Sequence, residues 1–542
     1  MQPTPEARPG RSSLWAGLAV LALLTALTVY LQIRNNAFGA ELGDDEASHY
    51  ISGLLVRDYL LSGFPQSPIA YLTNYHAHYP LIGIGHWPPA YYLLEGVWMV
   101  VFPPTIQAAI WLSTAFTVAT GAAIYLFAVR KLQLSPILAA GAAALFVITP
   151  LVQSGSSTIM LDVPVAFLTI CAAYAYAEYL ESESPWASAA FGLLAVAAIL
   201  TKGNGALLAL TPPLAVLATG RWDLLRRWSF WLPAVIVVVL AGPWYLVTYG
   251  QVAAGFRYAW GLTYSWVATV ENAKILVHDV AWPVLLLAVV GVVAAIRGRA
   301  GPRRTAALML IVLTASVWIF QTIVPAAIQD RYLAPLIPPV VLLAALGGDV
   351  LASRWNARAR AGASALVAAV LLVAALPAAL AMEPRPTLGI RRMASLVWAE
   401  KPPANPVVLI SAKARLEAAA IAELAQVDPH RPSLFAVRGS RLLGGGGYNR
   451  TDYVPKFATA GEVAGQIEQM RVPLVLYQDD PGGWRHVAQV EQVREAARPS
   501  WRLLGRAGTA ASPISLYALP DGLGAPADFD AWVAMTRPRQ LQ

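Results

Sequence analysis

Three consecutive carboxylates, Asp44, Asp45 and Glu46, follow shortly after the first long apolar segment of the chain. A carboxylate in this position can accept the proton of an attacking hydroxyl group, so each of the three is a candidate general base. The same residues also suit the first turn of a helix, where acidic side chains offset the positive end of the helix dipole. The triplet alone leaves both interpretations open.

Three further ionisable residues, Asp162, Lys202 and Arg331, stand at the ends of later apolar segments. Charged groups at a membrane edge are functional candidates, and residues far apart in sequence can converge there on one cavity. Lys and Arg can stabilise the charge on a departing phosphate, while a carboxylate can hold a sugar hydroxyl or a divalent ion. The structural alternatives are a helix cap for Asp162, a snorkelling Lys202 and an ion pair of Arg331 with Asp330.

His86 precedes a Pro-containing aromatic segment and could face a phosphate or lie at the interface beside Trp87. Together with His76 and His78 it forms a short histidine cluster, but the spacing on a Pro-rich segment argues against a zinc site. The region 248–280 mixes polar and aromatic residues, among them Arg257 and Tyr264, which suits sugar binding. Aromatic residues near a bilayer also serve as ordinary interface anchors.

The elements that must position these residues are membrane helices. The 542 residues are 57% hydrophobic and only 13% charged, and the mean hydropathy is +0.54, which is typical of a chain that lives mostly in lipid. The single cysteine, Cys171, excludes an internal disulfide and a thiolate metal cluster. The net charge of +8 comes from arginine clusters between apolar segments, which argues against nucleic-acid binding.

The apolar runs predict about eleven transmembrane helices, each near the roughly 20 residues needed to cross hydrocarbon. They lie near residues 14–32, 107–128, 136–152, 163–180, 187–201, 205–218, 229–247, 281–296, 306–324, 332–351 and 361–381. The first run follows basic residues as a signal peptide would, but its length and the lack of a small-residue cleavage site favour an uncleaved anchor.

The arginines predict the orientation. With residues 1–13 in the cytoplasm, four inside loops carry the basic clusters, so the positive-inside rule holds. These clusters are Arg130 with Lys131, then Arg221, Arg226 and Arg227, then Arg297, Arg299, Arg303 and Arg304, and finally Arg354, Arg358 and Arg360. Counting 88–103 as a span would invert this pattern, so we expect that segment to be interfacial or re-entrant, within a large outer loop over 33–106.

After the membrane domain, 14–382, the chain changes character. Short β-like runs at 407–410, 434–437 and 474–477 alternate with helical stretches over 383–542, which predicts a small soluble α/β domain. An odd number of spans places this domain outside the cytoplasmic membrane. The glycine run at 444–447 lacks the spacing of a nucleotide-binding loop and is expected to be a flexible turn.

Five motifs recur in one order: D-E-A-x-x-Y at 45–50, W-P-P-x-Y-Y at 87–92, L-D-V-P at 161–164, L-T-K-G at 200–203 and D-R-Y-L-x-P-L-x-P-P at 330–339. This ordered set, over about residues 14–352, resembles the GT-C superfamily. In particular it is similar to the bacterial relatives of protein O-mannosyltransferases and of the lipid A aminoarabinose transferase. No single motif is specific, and the resemblance rests on their order and on the topology.

The resemblance implies a hexosyl- or pentosyltransferase that uses a polyprenyl-phosphate sugar donor, works on the periplasmic side and inverts the anomeric carbon. Asp45 matches the catalytic aspartate, because Glu46 follows it and Tyr50 lies five residues on; Asp44 is an additional carboxylate and an alternative base. Asp162 matches the aspartate of the second outer loop. The remaining site residues expected are Lys202, Arg331 and His86 against the donor phosphate, and Tyr50, Tyr332, Arg257 and Tyr264 against the substrates.

We expect a multi-pass protein of the bacterial inner membrane that contacts membrane lipids, with a cell-envelope glycan, a lipid or a protein as acceptor. Fixed cations facing the leaving phosphate make a metal unnecessary, although Asp162 and the acidic triplet leave a divalent cation open. The main alternative is a transporter or flippase of a lipid-linked glycan, which predicts charges near mid-bilayer and internal repeats. A third alternative is a catalytically idle scaffold whose outer domain binds a partner.

Overall fold

The computed structural model describes residues 11–253, 258–355, 357–400, 406–445, 453–479, 484–497, 500–509 and 512–520. It divides into two compact units. The helical unit comprises Met1–Ala37, Gly85–Tyr91 and Ile110–Pro384, and the α/β unit comprises Phe38–Ile84, Tyr92–Ala109 and Arg385–Gln542. Most of the segment expected to form the first outer loop therefore groups with the C-terminal region.

The helical unit consists of apolar helices joined by short turns. Its α-helices are Arg11–Arg34, Ile106–Arg130, Pro136–Ile148, Pro150–Ser156, Asp162–Ser182, Pro185–Thr201, Thr211–Thr219, Trp228–Leu240, Gly242–Ala253, Leu262–Asp279, Trp282–Ile296, Arg304–Ile323, Ile337–Ala352 and Ala357–Ala381. Its 3₁₀ helices are Gly203–Leu210, Trp222–Arg226, Gly301–Arg303 and Asp330–Leu336. Several helices begin at a Ser-Pro pair; at one of them the Ser135 hydroxyl accepts from the backbone N–H of Leu138 at 3.3 Å.

Within the described residues, six helices are long and apolar enough to cross a membrane, and up to nine if each of three bent helix pairs counts as one span. Two further predicted spans, 187–201 and 205–218, coincide with the shorter apolar helices Pro185–Thr201 and Gly203–Thr219. The segment 88–103 forms the helix Ala90–Val101, whose 12 residues reach only about 18 Å, well short of the roughly 30 Å of hydrocarbon. The chain is thus a multi-pass helical membrane protein.

Two glycines fix the closest helix contact in this unit. A β-carbon added at Gly347 would lie 2.0 Å from the Leu287 carbonyl oxygen, and one at Gly291 would lie 2.1 Å from the Leu343 carbonyl oxygen. Only glycine allows the backbones of Trp282–Ile296 and Ile337–Ala352 to approach this closely, as small residues do in membrane helix packing. The second of these helices runs through the apolar core and is buried over nearly its whole length.

The α/β unit is built on a five-stranded sheet. Its strands are β1 Val407–Ser411, β2 Phe435–Arg438, β5 Leu474–Gln478, β6 Arg502–Thr509 and β7 Ser512–Ala518, with a separate two-stranded ladder of β3 Gly444–Gly445 and β4 Val454–Pro455. The order is β2-β1-β5-β7-β6; β2, β1 and β5 run parallel, and β7 is antiparallel to both β5 and β6. The predicted strands at 407–410, 434–437 and 474–477 are confirmed as β1, β2 and β5.

The helices of this unit are Asp44–Leu61, Pro68–His78, Ala90–Val101, Ile390–Ala399, Ala414–Val427, Gly439–Leu442, Ala460–Gln469 and Arg485–Ala496. Side-chain contacts join the helices of the expected first outer loop to the region of the sheet. The ring of His78 stacks on Phe435 with 3.9 Å between ring centroids, and the Tyr79 hydroxyl donates to the Asp428 carboxylate. The segment that carries Asp44, Asp45 and Glu46 therefore belongs to the same packed body as the C-terminal sheet.

Candidate active site

The acidic triplet forms the first turn of the helix Asp44–Leu61. Glu46 is buried, accepts a 2.7 Å hydrogen bond from the backbone N–H of Gly43 and forms a 2.7 Å ion pair with Arg385. Both contacts fasten the start of the helix, and the carboxylates lie at the positive end of its dipole. Glu46 is thus engaged in holding the helix, whereas Asp45 is half-buried and Asp44 is exposed.

The two remaining carboxylates differ in environment. Desolvation raises the pKa of Asp44, and repulsion from Asp45 and Glu417 adds to this, while Arg438 and Arg415 oppose it. Like charges so close disfavour ionising both members of the pair. The sequence left the base open between Asp44 and Asp45, and the geometry keeps both at the surface of the helix start.

Tyr50 lies one and a half turns further along and is fully buried. Its hydroxyl donates to the Pro104 carbonyl at 2.8 Å, and burial raises its pKa strongly. The structure therefore places this tyrosine, expected to contact substrate, in the interior of the α/β unit. It joins the acidic helix to the Pro104 segment.

A second cluster lies within the helical unit, where two charges are buried together. The Lys202 Nζ atom is 2.6 Å from the Asp162 Oδ1 atom, with side-chain exposures of 9% and 3%. Lys202 ends the helix Pro185–Thr201 and Asp162 begins the helix Asp162–Ser182. The second carboxylate oxygen of Asp162, Oδ2, is buried without a hydrogen-bond partner among the described residues.

Tyr332 joins Arg331 to this pair. The Lys202 Nζ atom lies 4.4 Å from the centroid of the Tyr332 ring, and the Arg331 guanidinium carbon lies 5.5 Å from the same centroid. Both distances suit cation–π contacts. The predicted convergence of Asp162, Lys202, Arg331 and Tyr332 is thus present in the structure, and it brings two cations to one aromatic ring.

Local contacts orient the Arg331 side chain. Its Nε atom donates to the Gln329 side chain at 2.7 Å, and its Nη1 atom lies 3.4 Å from the Met160 sulfur. The neighbouring carboxylate of Asp330 accepts from the backbone N–H of Arg331 at 2.7 Å. The Asp330 side chain therefore binds the backbone of Arg331 within the first turn of the 3₁₀ helix.

The remaining residues predicted for the site are His86, Tyr264 and Arg257. The His86 ring is half-buried and meets Trp87 edge-on at 4.5 Å between centroids. The Tyr264 hydroxyl donates to the Val324 carbonyl at 2.9 Å, and its ring lies 5.2 Å from that of Tyr258. Arg257, expected to bind substrate, lies outside the described residues.

No group of three or more His, Cys, Asp or Glu side chains among the described residues is arranged to hold a metal ion. His78 is stacked on Phe435, and His76 is half-buried in the same unit, where desolvation lowers its pKa to about 4. The buried neighbour of Asp162 is a cation, Lys202, at 2.6 Å.

Sequence reasoning missed Arg385, the partner of Glu46. It stands in Met-Glu-Pro-Arg-Pro, directly after the last predicted span. In the predicted orientation this basic residue lies on the outer side of a span, which departs from the positive-inside rule. That departure was the available signal that the residue has a specific partner.

Residues 90–256 match the family described as dolichyl-phosphate-mannose-protein mannosyltransferase. Among solved structures, ArnT from Cupriavidus metallidurans bound to undecaprenyl phosphate aligns with a TM-score of 0.60 at 15% identity, covering 95% of this chain and 100% of that one. The chain thus shares the fold of ArnT, and its residues 90–256 resemble the PMT family. This confirms the resemblance found in the ordered motifs.

A second solved structure has a similar fold. The oligosaccharyltransferase AglB from Archaeoglobus fulgidus, in complex with an inhibitory peptide and a dolichol-phosphate, aligns with a TM-score of 0.52 at 13% identity over 86% of this chain and 70% of that one. No curated protein sequence matches this chain. Its PMT match includes Asp162 and Lys202, begins after the acidic triplet and ends before Arg331.

Proposed function

We propose that the chain transfers a sugar from a polyprenyl-phosphate donor to an extracytoplasmic acceptor with inversion at the anomeric carbon. The observation that carries this is the buried Lys202–Asp162 pair beside Tyr332, with Arg331 at the other side of the ring. The likeness to ArnT bound to undecaprenyl phosphate and to AglB with a dolichol-phosphate supports a lipid-phosphate donor.

In this proposal Lys202 and Arg331 hold the donor phosphate, and His86 adds a third contact. As the bond from the anomeric carbon to the phosphate oxygen breaks, negative charge grows on the phosphate. Two cations in a poorly hydrated site stabilise that charge far more than they would in water. Asp162 holds the Lys202 side chain in place through the ion pair, and its Oδ2 atom is available to accept from a sugar hydroxyl.

The proposed base is Asp45, with Asp44 as the alternative. The acceptor hydroxyl gives its proton to the carboxylate while its oxygen attacks the anomeric carbon from the side opposite the phosphate. The polyprenyl phosphate then leaves, and the configuration of that carbon inverts. Glu46 contributes to this step by holding the helix start through Arg385.

The proposed location is the inner membrane, with the catalytic side and the region after residue 382 facing the periplasm. The acceptor is a glycan, lipid or protein of the cell envelope, and the donor sugar is a hexose or pentose. Tyr332 and Tyr264 are proposed to line the substrate path, Arg257 is proposed to bind substrate, and Tyr50 supports the acidic helix from the interior. The step needs no metal, because Lys202 and Arg331 supply the positive charge.

The deciding experiment compares surface glycans and polyprenyl-phosphate sugars by mass spectrometry in wild-type, deletion and complemented strains. The proposal expects one sugar to disappear from an envelope acceptor and its polyprenyl-phosphate donor to accumulate. Complementation with Asp45→Asn should behave like the deletion although the protein is inserted normally. An unchanged glycan profile with accumulation of an intact lipid-linked glycan on the cytoplasmic side would favour the flippase and overturn the transferase.

A further inference from the structure

The carboxyl ends of the parallel strands in the α/β unit carry polar groups that the proposed transfer does not use. β1 ends at Ser411 and β2 ends at Arg438. The chain passes from β1 to β2 on one side and later returns to β5 on the other side of β1. Such a reversal of strand order is where open α/β sheets bind ligands, just beyond the carboxyl ends.

Three buried side chains at this edge have hydrogen-bonding atoms without partners among the described residues. They are the Ser411 hydroxyl, the Arg438 Nη2 atom and the His486 Nε2 atom. Ser411 and His486 are fully buried, and Arg438 is 7% exposed. Buried polar atoms are nearly always paired, so three together need an explanation. We call Ser411, Arg438 and His486 the strand-end cluster.

Gly439 and Glu417 tie the cluster together. A β-carbon added at Gly439 would lie 3.1 Å from His486 Nε2 and 2.8 Å from the Ile410 carbonyl oxygen, so the turn after β2 packs closely against His486 and the end of β1. Glu417 is fully buried and binds the Arg438 Nε atom at 3.1 Å. It also accepts from the Ser440 backbone N–H at 2.8 Å, which fixes the turn after β2.

The unpaired atoms are hydrogen-bond donors. The Tyr453 hydroxyl accepts from the backbone N–H of His486 at 3.2 Å and lies 2.9 Å from the Nδ1 atom of the same residue. The hydroxyl can give its own proton to Nδ1, and the ring proton then lies on Nε2, where it can be donated. Burial lowers the pKa of His486 to about 4, so the ring is neutral at pH 7. Arg438 Nη2 can only donate, and the Ser411 hydroxyl is free to donate.

We propose that the strand-end cluster binds an oxyanion, either a carboxylate or a phosphate group. Arg438 supplies the charge and a directed N–H, and Ser411 and His486 supply neutral donors, a combination that suits an anionic oxygen. Glu417 accepts from the Nε atom of the guanidinium, and the N–H groups of Nη2 are left for the ligand. Arg438 is also the largest charge that opposes the raised pKa of Asp44, so the cluster lies within electrostatic reach of the acidic triplet.

The anion has two sources that share this chemistry: a free anion, or the acidic group of the acceptor. The second source rests on the proposed transferase function, whereas oxyanion binding itself does not. A binding measurement without donor therefore separates failure of this inference from failure of the transferase proposal.

The test is isothermal titration calorimetry on the full chain in nanodiscs, with inorganic phosphate, glucuronate and neutral glucose as separate probes. We expect saturable binding of at least one anion and none of glucose. Preference for glucuronate over phosphate identifies an acidic sugar, and the reverse identifies a phosphate. Absence of saturable binding for both anions overturns the inference.

Variants locate the site. Arg438→Gln should weaken anion binding about tenfold or more, because it removes a charge-assisted hydrogen bond. Ser411→Ala should weaken anion binding about three- to tenfold. This variant leaves the Arg438–Glu417 pair intact, so it tests the site even if Arg438→Gln does not fold. Arg506→Gln, at an exposed position on β6, is the matched control and should bind like wild type. Equal anion affinity in Ser411→Ala and wild type would contradict the assignment.

Discussion

At the scale of single residues, the three members of the acidic triplet have different roles. Glu46 is bound to the Gly43 backbone and to Arg385, whereas Asp45 is half-buried and Asp44 is exposed at the helix start. Three adjacent residues of the same chemistry thus divide between fastening a helix and the proposed proton transfer. Substitution can tell these tasks apart, because stability and turnover are measured separately.

Asp45→Asn is expected to lower kcat about 10²- to 10⁴-fold with little change in melting temperature, since it removes a general base without removing volume. Glu46→Gln is expected to lower the melting temperature, because it breaks the ion pair with Arg385. It is expected to lower kcat less than Asp45→Asn does. Transfer assays and thermal unfolding in detergent measure the two effects. The reverse pattern would make Glu46 the base and Asp45 the anchor.

The raised pKa of Asp44 predicts how the stability of the folded chain depends on pH. Its pKa is higher in the folded chain than its ordinary value, mainly through desolvation, so its ionised form opposes folding. This penalty is complete above the folded-state pKa and disappears as the pH falls below the ordinary value. Asp44→Asn should therefore raise the melting temperature at pH 7, by an amount that shrinks toward pH 4. An increment that grows as the pH decreases would contradict the raised pKa.

The Lys202–Asp162 pair predicts a strong dependence of each charge on the other. Lys202→Met should cost about 3–5 kcal/mol of stability, because Asp162 would remain buried without its cation. Adding Asp162→Leu should recover most of that loss, since the pair is then replaced by apolar side chains. Thermal unfolding measures the recovery. Neither variant should bind the donor phosphate, and retained donor binding in the stable double variant would remove Lys202 from the proposed site.

At the scale of elements, the contact between Trp282–Ile296 and Ile337–Ala352 sets the position of the turn that carries Arg331 and Tyr332. This turn, Asp330–Leu336, leads directly into the second helix. Because Gly347 and Gly291 let the two backbones touch, the helix has little freedom to slide. Glycines far from the candidate site therefore help to place its cations.

Gly347→Val should be strongly destabilising, by about 3 kcal/mol or more, because its β-carbon would lie 2.0 Å from the Leu287 carbonyl oxygen. Gly362→Ala is the matched control. It lies in the helix Ala357–Ala381, and its added β-carbon would meet no atom within 4 Å. The control should be neutral or stabilise by about 0.5–1 kcal/mol. Similar melting temperatures for Gly347→Val and wild type would refute the close packing.

At the scale of the whole molecule, the orientation is still a prediction from charge. An odd number of spans with the N-terminus inside places the region after residue 382 in the periplasm. In a Cys171→Ala background, Arg506→Cys should react with a membrane-impermeant maleimide in spheroplasts, and Arg226→Cys should react only after lysis. Both positions are exposed in the structure. Labelling of Arg226→Cys in intact spheroplasts would invert the topology and with it the proposed periplasmic chemistry.

The amino-acid sequence by itself indicated that this protein lies in a lipid bilayer, and it indicated most of the helices and strands. Long apolar runs, helix starts at Ser-Pro pairs and short strands such as Val407–Ser411 are local patterns, and local backbone preferences suffice to recognise them. The order of the motifs likewise predicted the resemblance to the PMT family, which residues 90–256 match, before any contact was known. The grouping of Lys202 with Asp162 followed from topology, because both were placed at the same face of the bilayer.

Only the tertiary structure decided which partner each polar group takes. The pairing of Glu46 with Arg385, the shared ring of Lys202 and Arg331, and the grouping of the first-loop helices with the C-terminal sheet join residues distant in sequence. No periodicity encodes such pairs, because they follow from how apolar faces pack and from the need to satisfy buried polar atoms. The strand-end cluster is visible only at this level, since a buried donor lacking a partner has no local pattern in the sequence.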